Sequence, residues 1–173
     1  MFMVVVFYVG CTRCSRPETD TPSQGTPPIP SQLSAAAGHL APILGYNSPE
    51  CLMCAEARCK QRVDECLKIQ GAAENGPAKG RAKSDLCAES LDCVIKSRCV
   101  TGGSGKDCYC GTAFGLDCIS PQANGACKAK LEAGLETTDP KEIAVKFVDE
   151  QRGGGVAMQL VQCLINARCE RCF

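Results

Sequence analysis

Three pairs of cysteines with C-x-x-C spacing are the residues of this chain best suited to chemistry. The pairs are Cys11 and Cys14, Cys51 and Cys54, and Cys169 and Cys172. Such a pair can attach haem, exchange thiol for disulfide, supply two ligands to zinc, or take part in structural disulfides. Covalent haem requires a histidine directly after the second cysteine, but Ser15, Ala55 and Phe173 stand there. The sequence therefore excludes a c-type haem.

The remaining uses of these cysteines depend on the fold and the compartment. Thiol redox chemistry of the thioredoxin type places the motif in a βαβ unit, which the helical pattern of this chain does not offer. Four thiolates can hold zinc without any histidine, so metal binding or thiol redox chemistry stays as the alternative function. An export leader favours disulfides, because cytosolic thiols are kept reduced. We therefore expect no metal and no cofactor.

The sequence also lacks the residues that other kinds of catalytic site require. The only histidine, His39, lies outside the predicted domain, which excludes Ser-His and Cys-His nucleophiles within it. Carboxylate pairs such as Asp149 and Glu150 occupy helical positions typical of a solvated face. The glycines from Gly102 to Gly105 lack the Lys-Ser or Lys-Thr of a phosphate-binding loop. We expect that the protein is not an enzyme, with a cysteine-dependent enzyme or inhibitor as a third hypothesis.

The composition is that of a disulfide scaffold. Sixteen of the 173 residues are cysteine, which is at the level of about 8–10% that marks disulfide-rich exported chains. Trp is absent, and five Phe and three Tyr supply few large apolar side chains, so cross-links must compensate for a thin core. Lys plus Arg equals Asp plus Glu at 19 each. This balance excludes a long-range attraction to nucleic acid.

The N-terminus has the features of an export leader. Met1 to Val9 is almost wholly apolar, and this run is too short to span a bilayer but matches the core of a signal peptide. Tyr8 to Cys11 resembles the lipobox of bacterial lipoproteins, which implies a lipid on Cys11. Ordinary signal-peptidase cleavage near Gly10 is the equal alternative. Signal peptides normally open with Lys or Arg, so the sequence leaves open whether Met1 is the true start.

The chain divides into three parts. Residues 1–11 form the leader, residues 12–47 form a linker rich in Pro, Ser and Ala, and residues 48–173 form a cysteine-rich domain. The linker buries too little apolar surface to order itself and is predicted to be a disordered spacer. We expect contact with a membrane only through a lipid on Cys11.

The domain is predicted to be all-α, with about five short helices cross-linked by disulfides. Ser48 and Pro49 begin the first helix, and Asp139 and Pro140 begin the fourth. The run Gly153-Gly154-Gly155 is expected to end the fourth helix. The other helices are expected at Ser84 to Cys99, Asn124 to Gly134 and Val156 to Arg168, and the first at Ser48 to Gly71.

The fourteen cysteines of the domain are the predicted disulfide residues. Their even number permits seven bridges, mostly between helices, although the connectivity stays open. Helical periodicity places the first four on or near one apolar stripe. The fourteen are Cys51, Cys54, Cys59, Cys66, Cys87, Cys93, Cys99, Cys108, Cys110, Cys118, Cys127, Cys163, Cys169 and Cys172.

Two segments of the domain repeat each other. Leu91 to Cys99 and Val161 to Cys169 each carry two cysteines and end in a small residue, arginine and cysteine. Ala57-Arg58-Cys59 repeats that ending. We interpret the three as one helical unit with arginine near the helix C-terminus, where a cation is favoured. Chance similarity between amphipathic helices is the alternative.

The cysteine-rich helical segments around Cys108-Tyr109-Cys110-Gly111 and Thr137-Thr138-Asp139-Pro140 resemble uncharacterised cysteine-rich envelope proteins of bacteria. The resemblance covers Ser48 to Phe173. It implies an extracytoplasmic location, either in the cell envelope or secreted, and no activity. We expect a non-enzymatic exported or surface-tethered module that is structural or binds an unknown protein or surface partner.

Overall fold

Short helices make up the fold. The computed structural model describes residues 39–100 and 102–173. Within these residues there are eight α-helices and no strand longer than a single bridge between Ala72 and Ala82, which confirms the all-α prediction but exceeds the expected number of about five helices. The helices are α1 (Ala41–Leu44), α2 (Pro49–Arg58), α3 (Lys60–Lys68), α4 (Lys83–Ser97), α5 (Asp107–Cys110), α6 (Lys128–Gly134), α7 (Pro140–Lys146) and α8 (Gly153–Asn166).

The first predicted helix is in fact two. Its start is correct, because the Ser48 hydroxyl accepts the Glu50 N–H at 3.1 Å and Pro49 is the first helical residue. Cys59 then leaves the helical conformation, with φ −125° and ψ 19°, and α3 begins after it. At this break Arg58 donates to the carbonyl oxygen of Ala167 at 2.9 Å, and Cys59 is bonded to Cys163. The break between α2 and α3 thus lies where both residues contact the end of α8. The helical periodicity of the sequence did not indicate this break.

The residues just before Ser48 pack on the helical domain. Leu40 and Leu44 are fully buried in the core, and the side-chain amide of Asn47 donates to the carbonyl oxygens of Ile95 and Cys172 at 2.7 and 3.1 Å. Apolar burial therefore extends to Leu40, in the segment that the sequence analysis assigned to the linker. The leader and residues 12–38 lie outside the described residues.

The glycine run that was expected to end the fourth helix instead begins α8. A Cβ on Gly154 would lie 2.7 Å from the carbonyl carbon of Gly134 and 2.9 Å from the backbone nitrogen of Leu135. A Cβ on Gly153 would overlap the start of α4, at 2.9 Å from the backbone nitrogen of Cys87. The missing side chains let three backbones approach closely. The prediction was wrong because glycine weakens an isolated helix but permits this packing.

The core forms where α8 packs against α3, α4 and α6. Leu91, Val94 and Ile95 of α4 and Leu160 and Leu164 of α8 have no exposed surface. Several half-cystines join the same cluster, so disulfides and aliphatic side chains share one interior. Apolar burial and disulfides therefore stabilise the same contacts between helices.

The repeated segments share a specific helix ending. Arg98 and Arg168 adopt left-handed backbone conformations with φ of 50° and 55°, and each directly precedes a half-cystine. The left-handed residue reverses the chain at the helix end, which turns Cys99 and Cys169 towards their partners. The third copy does not have this turn, because Arg58 lies within α2.

A buried carboxylate joins three parts of the domain. Glu136 is almost fully buried, and its Oε2 accepts the backbone N–H groups of Glu74 and Asn75 at 2.7 and 3.2 Å. The same carboxylate pairs with Arg152, the residue before α8. The loop between α3 and α4, the end of α6 and the start of α8 are thus held at one point. The sequence offered no signal for this role.

Substitution Gly154→Ala tests the close approach of the backbones. Alanine favours an ordinary helix over glycine by about 1 kcal/mol, whereas overpacking of a tight contact costs about 1–3 kcal/mol. We expect the overpacking cost to exceed the helix-propensity gain, so that Gly154→Ala lowers the unfolding free energy in guanidinium titrations. Gln162→Ala, on the exposed face of α8, serves as the control and should change stability little. An increase in stability for Gly154→Ala would contradict the packing described.

Candidate functional site

All fourteen cysteines of the predicted domain are joined in pairs. Their Cα–Cα distances, from 4.7 to 5.9 Å, lie within the range of natural disulfides. Four bridges are comparatively local, and three connect positions more than a hundred residues apart. The pairs are Cys51–Cys172, Cys54–Cys169, Cys59–Cys163, Cys66–Cys87, Cys93–Cys127, Cys99–Cys108 and Cys110–Cys118.

The two described C-x-x-C motifs bond to each other. Cys51 pairs with Cys172 and Cys54 pairs with Cys169, so the start of α2 is fastened twice to the C-terminal turn. With their sulfurs bonded in this way, these motifs present no thiolates as zinc ligands. Within residues 39–100 and 102–173, no three His, Cys, Asp or Glu side chains are grouped to hold a metal ion. Cys11 and Cys14 lie outside these residues.

A well-formed cavity lies elsewhere, between α7 and the segment from Gly111 to Ile119, here called the outer loop. This aromatic cleft has a volume of about 370 Å³ and is open on one side. Tyr109, Phe114 and Phe147 line it. The described part of the chain has two other aromatic residues, Tyr46 and Phe173. Aromatic side chains are therefore concentrated at this one cleft in a chain that has few of them.

The outer loop is built as a fixed wall. Cys110–Cys118 closes its ends, and Gly111 and Gly115 take left-handed conformations with φ of 63° and 57°. Asn124 accepts the backbone N–H of Thr112 at 2.9 Å and donates to the Thr112 hydroxyl at 2.8 Å. These links hold the loop in place even though none of its residues is buried.

The floor of the cleft is apolar and uncharged. The rings of Tyr109 and Phe147 meet edge to face with centroids 6.1 Å apart. The Tyr109 hydroxyl is buried and has no hydrogen-bond partner among the described residues. Burial, with a smaller contribution from the charge of Glu132, raises the pKa of Tyr109 to about 12. The phenol therefore stays neutral at physiological pH and does not serve as a base or nucleophile there.

The outer loop also carries exposed apolar side chains. Phe114, which lines the cleft, and Leu116, two residues further along the loop, are 90% and 80% exposed. Val148, next to the cleft-lining Phe147, is exposed as well. Clustered exposed apolar side chains are typical of interaction surfaces, whereas single ones are ordinary.

Two charged residues, Lys106 and Asp107, line the cleft. The Asp107 carboxylate accepts the backbone N–H of Gly102 at 2.7 Å. Lys106 is exposed and forms no ion pair with any residue that the structure describes. The mouth of the cleft thus has one cation available to a ligand.

This cleft was not predicted from the sequence. The sequence analysis singled out the segment around Cys108 to Gly111 and predicted the Asp139 cap of α7, and the Asp139 carboxylate does accept the Lys141 N–H at 2.9 Å. It did not bring the two together. The one local signal was Phe114-Gly115-Leu116, two large apolar residues in a short glycine-containing loop between cysteines.

Comparisons with models of protein families, with curated proteins and with solved structures found no match to this chain. The resemblance to bacterial envelope proteins therefore stays a prediction. Among the described residues, no helix has the length and apolar character needed to cross a membrane. The disulfides and the aromatic cleft are the features of the described residues that bear on function.

Peptide mapping of unreduced protein tests the disulfide connectivity. After blocking of any free thiol and proteolysis, we expect peptides linked by seven disulfides, including Cys54 with Cys169 and Cys51 with Cys172. The measurement is mass spectrometry before and after reduction. Bridges within the C-x-x-C motifs, or alkylation of several of these cysteines without reduction, would contradict the arrangement.

Proposed function

We propose that this protein is an exported, non-enzymatic module, stabilised by disulfides, that binds an apolar group of a protein or surface partner in the aromatic cleft. The observation that carries the proposal is the concentration of aromatic side chains in an open cleft whose outer loop also carries exposed apolar side chains. Water is a poor solvent for such a surface, and covering it with an apolar group is favourable.

The disulfides support the extracytoplasmic part of the proposal. Seven bridges in one small domain indicate an oxidising location, because cytosolic thiols are kept reduced. A lipid on Cys11 would tether the domain to a membrane, and cleavage of the leader without lipidation would release it.

The chemistry of the cleft favours binding over catalysis. Its aromatic hydroxyl is held neutral, and the one disulfide in its lining, Cys110–Cys118, has no free thiol. The volume of about 370 Å³ falls within the range of roughly 300–1,000 Å³ found for ligand pockets. A metal held by cysteine thiolates would have to use Cys11 and Cys14, since the other cysteines are bonded.

The rigidity of the outer loop also favours a binding role. A wall that is fixed before binding loses little conformational freedom when a ligand enters, which leaves more of the contact energy as affinity. The disulfide and the Asn124 side chain supply this rigidity. An exposed loop with Phe114 at its tip would otherwise be expected to move.

A neutral apolar fluorescent probe, N-phenyl-naphthylamine, tests this function on the intact oxidised protein. Ala144 is exposed on α7 and lines the cleft, so Ala144→Trp should fill the cavity without removing a core side chain. We expect the parent protein to bind the probe and the variant to bind it at least about tenfold more weakly. The measurement is a fluorescence titration.

The matched control is Ala57→Trp, which adds the same ring to an exposed position of α2. Its probe affinity should equal that of the parent protein, and circular dichroism should show both variants folded. Equal probe binding by Ala144→Trp and the parent, or no binding by the parent, would contradict the proposed function.

A further inference from the structure

We propose that the aromatic cleft is a site for a monocarboxylate with an alkyl tail, whose tail lies along Phe147 and the outer loop and whose carboxylate pairs with Lys106. The inference rests on the proposed binding function and names the class of ligand. It follows from the position of one cation, which forms no ion pair among the described residues, beside a cavity with an apolar floor.

Lys106 is the one lysine that lines the cleft, and it has no ion pair among the described residues. Lys79, Lys83 and Lys141 also have none, but they do not line the cleft. Asp107 is the neighbour of Lys106 in the chain, but its carboxylate is turned to the backbone of Gly102. A negative group on a ligand would provide the partner that the described residues do not.

The location of Lys106 suits the head group of an amphiphile. Lys106 and Phe147 line both the aromatic cleft and a smaller adjoining cleft of about 140 Å³, where Val148 and Met158 continue the apolar surface. Lys106 therefore stands where the two apolar cavities meet. A ligand whose tail entered either cavity could place its head near this ammonium group.

The number of charges favours a carboxylate over a phosphate. The single lysine can balance one negative charge of a ligand. The Asp107 carboxylate lines the same cleft, so it would repel a second negative charge on that ligand. Dianionic phosphates are usually held by several donors or by the fork of an arginine, and no arginine lines the cleft. The neutral phenol of Tyr109 adds no charge to the floor that the tail would cover.

Paired titrations with decanoate and decanol on the intact oxidised protein separate the head group from the tail. Both should displace N-phenyl-naphthylamine from the cleft. In Lys106→Gln, decanoate should bind about threefold to fivefold more weakly, near the upper value for an exposed ion pair, whereas decanol should change less than about twofold. Added salt should weaken decanoate and leave decanol unchanged, because only the former relies on a charge pair.

Lys79→Gln provides the matched control, since Lys79 is exposed, forms no ion pair with a described residue and does not line the cleft. Its affinities for decanoate and decanol should equal those of the parent. An equal response of both ligands to Lys106→Gln, or an equal loss in Lys79→Gln, would overturn the inference. So would a peptide with a C-terminal leucine carboxylate that bound more tightly than decanoate.

The titrations also distinguish failure of this inference from failure of the proposed function. If N-phenyl-naphthylamine binds the parent and not Ala144→Trp, but decanoate fails to displace it, the ligand class is wrong and the cleft still binds apolar groups. If neither the probe nor decanoate binds the parent protein, both proposals are contradicted.

Discussion

The three long-range disulfides between the N-terminal helices and the C-terminal end are the constraint on which the rest of the fold depends. They join residues 104 to 121 positions apart, and closing a loop of about 100 residues can stabilise a fold by roughly 4.7 kcal/mol. The longest helix, α4, has only 15 residues, and isolated helices shorter than about 12–15 residues are marginal in water. Cross-links therefore hold together helices that a thin core would not.

Local sequence signals predicted the helices better than they predicted the contacts between helices. Ser48 and Asp139 cap α2 and α7 as their side chains indicated, and the even number of cysteines agreed with seven bridges. Contacts between residues distant in sequence determined where other helices break or begin. Cys59 leaves the helix at its junction with α8, and Gly153 to Gly155 begin a helix because neighbouring backbones lie against them. A periodicity of 3.6 residues has no information on either contact.

A disulfide also holds one wall of the aromatic cleft in place. Because Cys110–Cys118 and Asn124 hold the outer loop, the loop needs no buried side chain, and Phe114 and Leu116 are free to face solvent. The sequence reveals that these residues are apolar but not whether they enter the core or project from it. Nor could it place α7 opposite the loop, since no local pattern links them. Unburied apolar surface on a rigid wall is what makes binding the best-supported function.

Far-ultraviolet circular dichroism of the domain, with and without reductant and in the presence of a chelator, tests most directly whether disulfides rather than the core stabilise this fold. Natural domains have only about 5–15 kcal/mol of stability, so losing all the bridges should exceed what the remaining contacts supply. We predict that reduction abolishes the helical signal and the cooperative thermal transition at neutral pH. A reduced, metal-free protein that kept its helical signal and melted cooperatively would contradict this account.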